Sequence, residues 1–148
     1  MRTSLLASWA AGLIGALALV QPGAAQQPAN VWDGVYSAEQ AIRGKDVFDQ
    51  RNCITCHAED GSPGDDGIPP IKGPYFMTRW DGNTVAEIYA FIATNMPRTK
   101  PGSLTPQEVA DVTAYLLKLN ELPAGSTALP VDPAAAVRIR FTDAQPTR

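Results

Sequence analysis

The chain has 148 residues with a formal net charge of −3, two cysteines and one histidine. An acidic balance argues against a nucleic-acid partner, which selects basic faces. Two cysteines rule out a disulfide scaffold, and the length allows one domain after any leader is removed.

Residues 1–25 read as a secretory signal: Arg2 makes a positive start, Leu5 to Val20 is apolar apart from Ser8, and small residues precede a cut after Ala25. The apolar run is short for a membrane span, which is the alternative. Export is therefore expected, with a periplasmic location and no membrane association after cleavage. Loss of Arg2 would leave the chain one unit more negative.

Residues 26–36 are a polar lead-in ending in Val31–Tyr36, whose aromatics Trp32 and Tyr36 are expected to dock it on the domain. Ser37 N-caps a helix running to about Gln50, with Gln40 in the capping-box place. Ala41, Lys45 and Phe48 share one face of it. Gly44 sits beside them, and because a mid-helix glycine costs about 1 kcal/mol against alanine, another backbone is expected close by. The alternative is a tolerated glycine.

Cys53-Ile54-Thr55-Cys56-His57 follows. Thiols three apart on one helical turn reach the two vinyl groups on one edge of a haem, and the next residue offers an imidazole to the iron. Cys-x-x-Cys-His is the attachment signature of c-type haem. The motif holds every cysteine and the histidine of the chain, so nothing competes for the assignment. A disulfide this tight would be strained and easily reduced. A thioredoxin-like redox pair wants a βαβ setting, and the neighbours here are polar on one side and Gly/Pro-rich on the other. A closed zinc site wants a fourth ligand. One covalent haem c is the expected cofactor, and it would supply the apolar centre that so small a helical unit lacks.

Residues 58–83 are rich in glycine and proline and show no helix or strand period, so a long functional loop is expected, ending in a turn at Trp80–Asn83. Thr84 caps the next helix, with Glu87 in the box position and an apolar face of Val85, Ile88, Tyr89, Phe91 and Ile92; the helix is expected to stop at Asn95, a residue that tolerates the left-handed C-terminal position. A turn lies at Pro101–Ser103. The last helix starts at Thr105 with Pro106 first and Glu108 boxed, and carries a core stripe of Val109, Val112, Leu116 and Leu119 before Pro123. The extension 123–148 is Pro/Ala-rich, with a strand-like Val137–Phe141; it is either an arm over the domain or a partly disordered end.

With His57 on the iron, a second protein ligand is wanted. Met96 follows a helix end and precedes Pro97, on a fixed non-helical backbone, and is the expected ligand. Met77, between Phe76 and Trp80, reads better as packing. A thioether opposite imidazole closes the iron and raises its potential, favouring single-electron transfer; an open position would favour gas binding or peroxide chemistry. No side chain is assigned bond chemistry. The acidic run Glu59-Asp60 and Asp65-Asp66 is either a steering patch for a basic partner or a solvated loop.

Together these features resemble a class I cytochrome c over residues 37–122, an all-α fold packed around one covalent haem. In the resemblance Gly44, Phe48 and Tyr115 stand where first and last helices cross, and Pro69, in Pro69-x-Ile71-x-Gly73, offers its carbonyl to the other nitrogen of His57. Trp32-x-Gly34-x-Tyr36, Trp80-x-x-Asn83-Thr84-Val85 and Asn95-Met96-Pro97 are similar to a subgroup associated with pyrroloquinoline-quinone dehydrogenases. This implies redox partners: a donor dehydrogenase, with a quinoprotein as one candidate, and an acceptor oxidase or cytochrome. The alternatives are a fixed haem subunit of such a dehydrogenase complex, and an open-site sensor or enzyme.

Overall fold

The computed structural model describes residues 29–64 and 67–147. The leader expected over 1–25 and the pair Asp65-Asp66 lie outside the described residues.

Helix α1 (Ala38–Gln50) crosses α4 (Pro106–Leu119) in the most extensive helix pairing of the chain. Gly44 permits the crossing: a Cβ built there would stand 1.9 Å from the carbonyl oxygen of Asp111. Phe48 and Tyr115 close the crossing edge-on at 5.3 Å. Arg43 donates twice, at 3.1 Å each, to the carboxylate of the buried Asp111. The expected stripe on α4 is wider than its spacing implied. Residues 109–117 are buried in one unbroken run, since α1 covers one side and α3 (Val85–Asn95) another.

The start signals act as expected. Ser37 accepts from the amide of Gln40. Thr84 with Glu87, and Thr105 with Glu108, form reciprocal capping boxes. Gln40 itself does not close a box; its buried amide group instead bonds both backbone groups of Leu129, accepting from the N–H at 2.6 Å and donating to the carbonyl at 3.2 Å. Helix α3 stops at Asn95 as expected, with Asn95 itself still helical. Helix α3 leaves through Met96 in extended conformation (φ −119°, ψ 150°).

A helix was not expected within 58–83, yet α2 (Pro74–Trp80) forms there. Pro74 supplies the preset φ of a first helical residue, and Gly73 turns into it at φ 75°. Asn120 fixes this entry by accepting from the amide of Gly73 at 2.9 Å and donating to Ile71 at 3.0 Å.

Lead-in and extension are packed together on the helices. Strand β1 (Ala29–Asn30) pairs in parallel with β2 (Ile139–Arg140), Ala29 opposite Ile139. Val31, Leu129, Ala136 and Phe141 are fully or almost fully buried. Between the two arm possibilities, the extension is laid over the domain, with a four-residue helix α5 (Pro133–Ala136) along it. Among the described residues no helix is long and apolar enough to cross a membrane.

Candidate functional site

Asn52, left-handed at φ 55°, ends α1 and starts the 3-10 turn Cys53–Thr55. The carbonyl of Cys53 then accepts from the amides of Cys56 (3.1 Å) and His57 (2.9 Å). This tight turn carries both thiols and the imidazole onto one side of the chain. Gly64 is part of the arrangement, because a Cβ there would lie 1.7 Å from the Cys56 carbonyl oxygen. Tyr115 reaches the following segment, donating to the Glu59 carbonyl at 3.1 Å. Neither contact was legible beforehand; Gly64 was one glycine among several in a loop.

The turn opens on a cavity of about 370 Å³ between α1, α2, α3 and α4. Cys53, Cys56, His57, Pro69 and Met96, separated by up to 43 positions, all line it. Met77 does not; it packs on the core. The rest of the lining is mainly apolar, with Ile88, Ile92, Val112 and Leu116 at its back. Among the described residues its charged side chains are Arg79 and Arg98, with no carboxylate. Arg79 lies 5.2 Å from the Trp80 ring centroid and 6.0 Å from that of Phe91. Nothing in the spacing of Arg79 or Arg98 marked either in advance.

Burial holds the His57 pKa below its ordinary value, so the ring is neutral at pH 7 and keeps a lone pair for a metal. Its Nδ1 is buried without a hydrogen-bond partner. The bond to Pro69 implied by the resemblance is therefore not made. Pro69 shares the cavity, but its loop is tied to the motif elsewhere, through Ile71 N–H to Gly61 at 3.0 Å and the Gly64–Cys56 approach. Burial, with smaller contributions from Cys56 and Asp49, pushes the Cys53 thiol up to about 11. A redox thiol needs the opposite shift. An apolar cavity, two thiols at one rim, a neutral imidazole, a thioether and, among the described residues, cations without carboxylates fit a flat apolar macrocycle that carries a metal and acidic substituents.

A family model for cytochrome c matches residues 41–120, and the chain belongs to that family. Its cofactor is covalently bound haem c, and Cys53 and Cys56 stand at the spacing that family uses. It is an electron-transfer haem protein. A curated relative, "Thiosulfate dehydrogenase" of Thiomonas intermedia (strain K12), is 33% identical over 118 residues, covering 73% of this chain and 35% of the relative. The chain thus spans about a third of the length of that relative. No solved structure is significantly similar.

Proposed function

We propose that this chain is a periplasmic monohaem cytochrome that carries single electrons between a donor dehydrogenase and an acceptor oxidase or second cytochrome. In this reading residues 1–25 direct export, 37–122 are the haem domain, and 26–36 and 123–148 are its extensions. Cys53 and Cys56 hold the haem through thioethers, and His57 and Met96 are the protein ligands to iron. Pro69 is a cavity-wall residue of the cofactor site. The observation that carries the reading is the convergence of Cys53, Cys56, His57 and Met96 on one apolar cavity.

Haem iron supplies a one-electron couple that interconverts without bond chemistry on a substrate. The chain's part is to fix and tune it. The extended backbone at Met96, tied back by its amide to Ile92 at 2.9 Å, presents the thioether from a rigid helix end. Methionine with histidine raises the potential, and the apolar wall disfavours the more charged oxidation state. Two protein ligands leave no position for a substrate, which favours a carrier over a sensor or oxygen-activating enzyme.

The donor side has two candidates. The sequence resemblance points to a quinoprotein dehydrogenase. The name of the Thiomonas relative points to a dehydrogenase acting on a sulfur oxyanion, with this chain as its haem-bearing partner. The second reading, a fixed subunit of such a complex, is favoured by the surface that the lead-in and the long extension add outside the haem domain; stable co-purification with the donor separates it from a free carrier.

The deciding experiment is a visible and near-infrared spectrum of protein matured in a periplasm, beside Met96→Ala. Expected are haem that survives denaturing extraction, a near-infrared band of ferric methionine ligation, and loss of that band in the variant. Colourless protein with both thiols free to alkylate ends the haem reading. A high-spin wild type that binds cyanide or carbon monoxide directly ends the carrier reading.

A further inference from the structure

Helix α2 is the shortest of the four α-helices that wall the cavity and one of its larger contributors. Of its seven residues, Tyr75, Phe76, Arg79 and Trp80 line the cavity. A helix so short does not hold its own conformation in water, and none of the other helices packs on it extensively. Its N-terminal end is held by Asn120. Its C-terminal end and its back are held by the extension, which lies outside the segment 41–120 shared with the family.

The centre of that contact is Phe141, which is 0% exposed. Its ring meets Phe76 edge-on at 6.0 Å and does not itself reach the cavity. Both of its backbone groups bind the corner between α2 and α3: its N–H donates to Asn83 at 2.9 Å and its carbonyl accepts from Gly82 at 3.0 Å. Two residues on, the Asp143 amide donates to the Asp81 carboxylate at 3.0 Å. The strand is anchored on either side of this point. The Trp32 indole N–H donates to the Thr142 carbonyl at 3.0 Å, β1 pairs with β2, Tyr89 donates to the Pro130 carbonyl at 2.8 Å, and Gln40 grips both backbone groups of Leu129. A strap pinned to α1, to α3 and to the lead-in thus presses one ring on the back of the cavity wall.

We infer that residues 129–143 are a strap that positions α2 against the haem cavity, with Phe141 as the positioning residue acting through Phe76. The strap sets how dry the wall is, and through that the redox potential, since burial is one of the levers on a haem couple. The inference rests on haem being held in this cavity.

The test uses full-length haem-loaded protein and the variants Phe141→Ala and Phe141→Leu. Native-state hydrogen exchange is expected to quicken at least tenfold across 75–83 in Phe141→Ala, with protection in α1 and α4 unchanged. The midpoint potential is expected to fall at unchanged haem content. Phe141→Leu, which refills most of the space, is expected to show the same pattern at smaller amplitude, and it carries the test if the alanine variant does not fold. Unchanged exchange in 75–83, or equal loss of protection in all helices, overturns the strap. Localised loss of protection with an unmoved potential overturns its link to the couple. Wild-type protein without covalent haem would sink the cofactor assignment instead, and exchange at 75–83 would still judge the strap on its own.

Discussion

Replacing Gly44 by alanine sets helix propensity directly against packing. On an isolated helix the change is favourable by about 1 kcal/mol. Here the new methyl would stand 1.9 Å from the Asp111 carbonyl oxygen, 2.6 Å from its carbon and 2.9 Å from the Tyr115 Cβ. Ordinary contact begins at 3.4 Å, so α4 would have to withdraw by about 1.5 Å. The obstacle is backbone, and no rotamer change relieves it. Withdrawal strains a close-packed interface by ~1–3 kcal/mol and loosens the Phe48–Tyr115 ring pair by ~1 kcal/mol. It also draws Asp111 away from Arg43 and leaves a buried carboxylate worse paired, at ~1–3 kcal/mol. Against the propensity gain, the net is destabilisation by ~2–6 kcal/mol. With a urea slope of ~2 kcal/mol per molar, the unfolding midpoint of the haem-loaded protein should fall by ~1–3 M. A midpoint that stays or rises would refute the argument that this crossing depends on a missing side chain.

Gln40→Leu keeps the bulk but strips both hydrogen bonds from Leu129, at a cost of ~2–4 kcal/mol for two buried backbone groups left unpaired. Cleavage of the extension by a non-specific protease should accelerate severalfold before any loss of helical circular dichroism, and unchanged cleavage would show that the pin is dispensable. Glu108 gives an acid-side prediction. Burial works to raise its pKa, yet hydrogen bonds from Thr105 and Arg51, the latter at 2.8 Å, hold it below the ordinary 4.5. A carboxylate depressed on folding stabilises above its unfolded value and loses that contribution as pH falls through its folded value. Stability should therefore decline below about pH 4.5 in the wild type, and Glu108→Gln should flatten that decline while lowering stability at neutral pH. An identical acid limb in the variant would remove Glu108 from the account.

How far the fold was legible depended on how local its cause is. Ser37, Thr84 and Thr105 announced three helices because a cap is a bond between residues three apart, written within four letters. The Cys53–His57 motif was legible for the same reason, its geometry being closed by bonds inside one turn. Helix α2 escaped because its supports lie elsewhere: Asn120 at one end and Phe141 behind, with Gly73 and Pro74 reading as loop residues when taken alone. Gln40 misled in an instructive way, since its position suits a capping box and its side chain serves a backbone 89 residues away.

Met96 lies between these cases, and it shows why site and fold were unequally legible. Its neighbour Pro97 and the preceding helix told which backbone carries it, and the extended exit from α3 follows from that. What it faces was fixed by the α1–α4 crossing, which sets the distance across which a residue from α3's end and one from the motif can share a cavity. Gly44 is therefore as much a determinant of the candidate site as its lining residues. It lets two backbones touch, and the touching brings His57 and Met96 onto the walls of one chamber. A methyl at that position would act on stability first, and through the α4 residues Val112 and Leu116, which back the same chamber, it would reach the environment of any group held there.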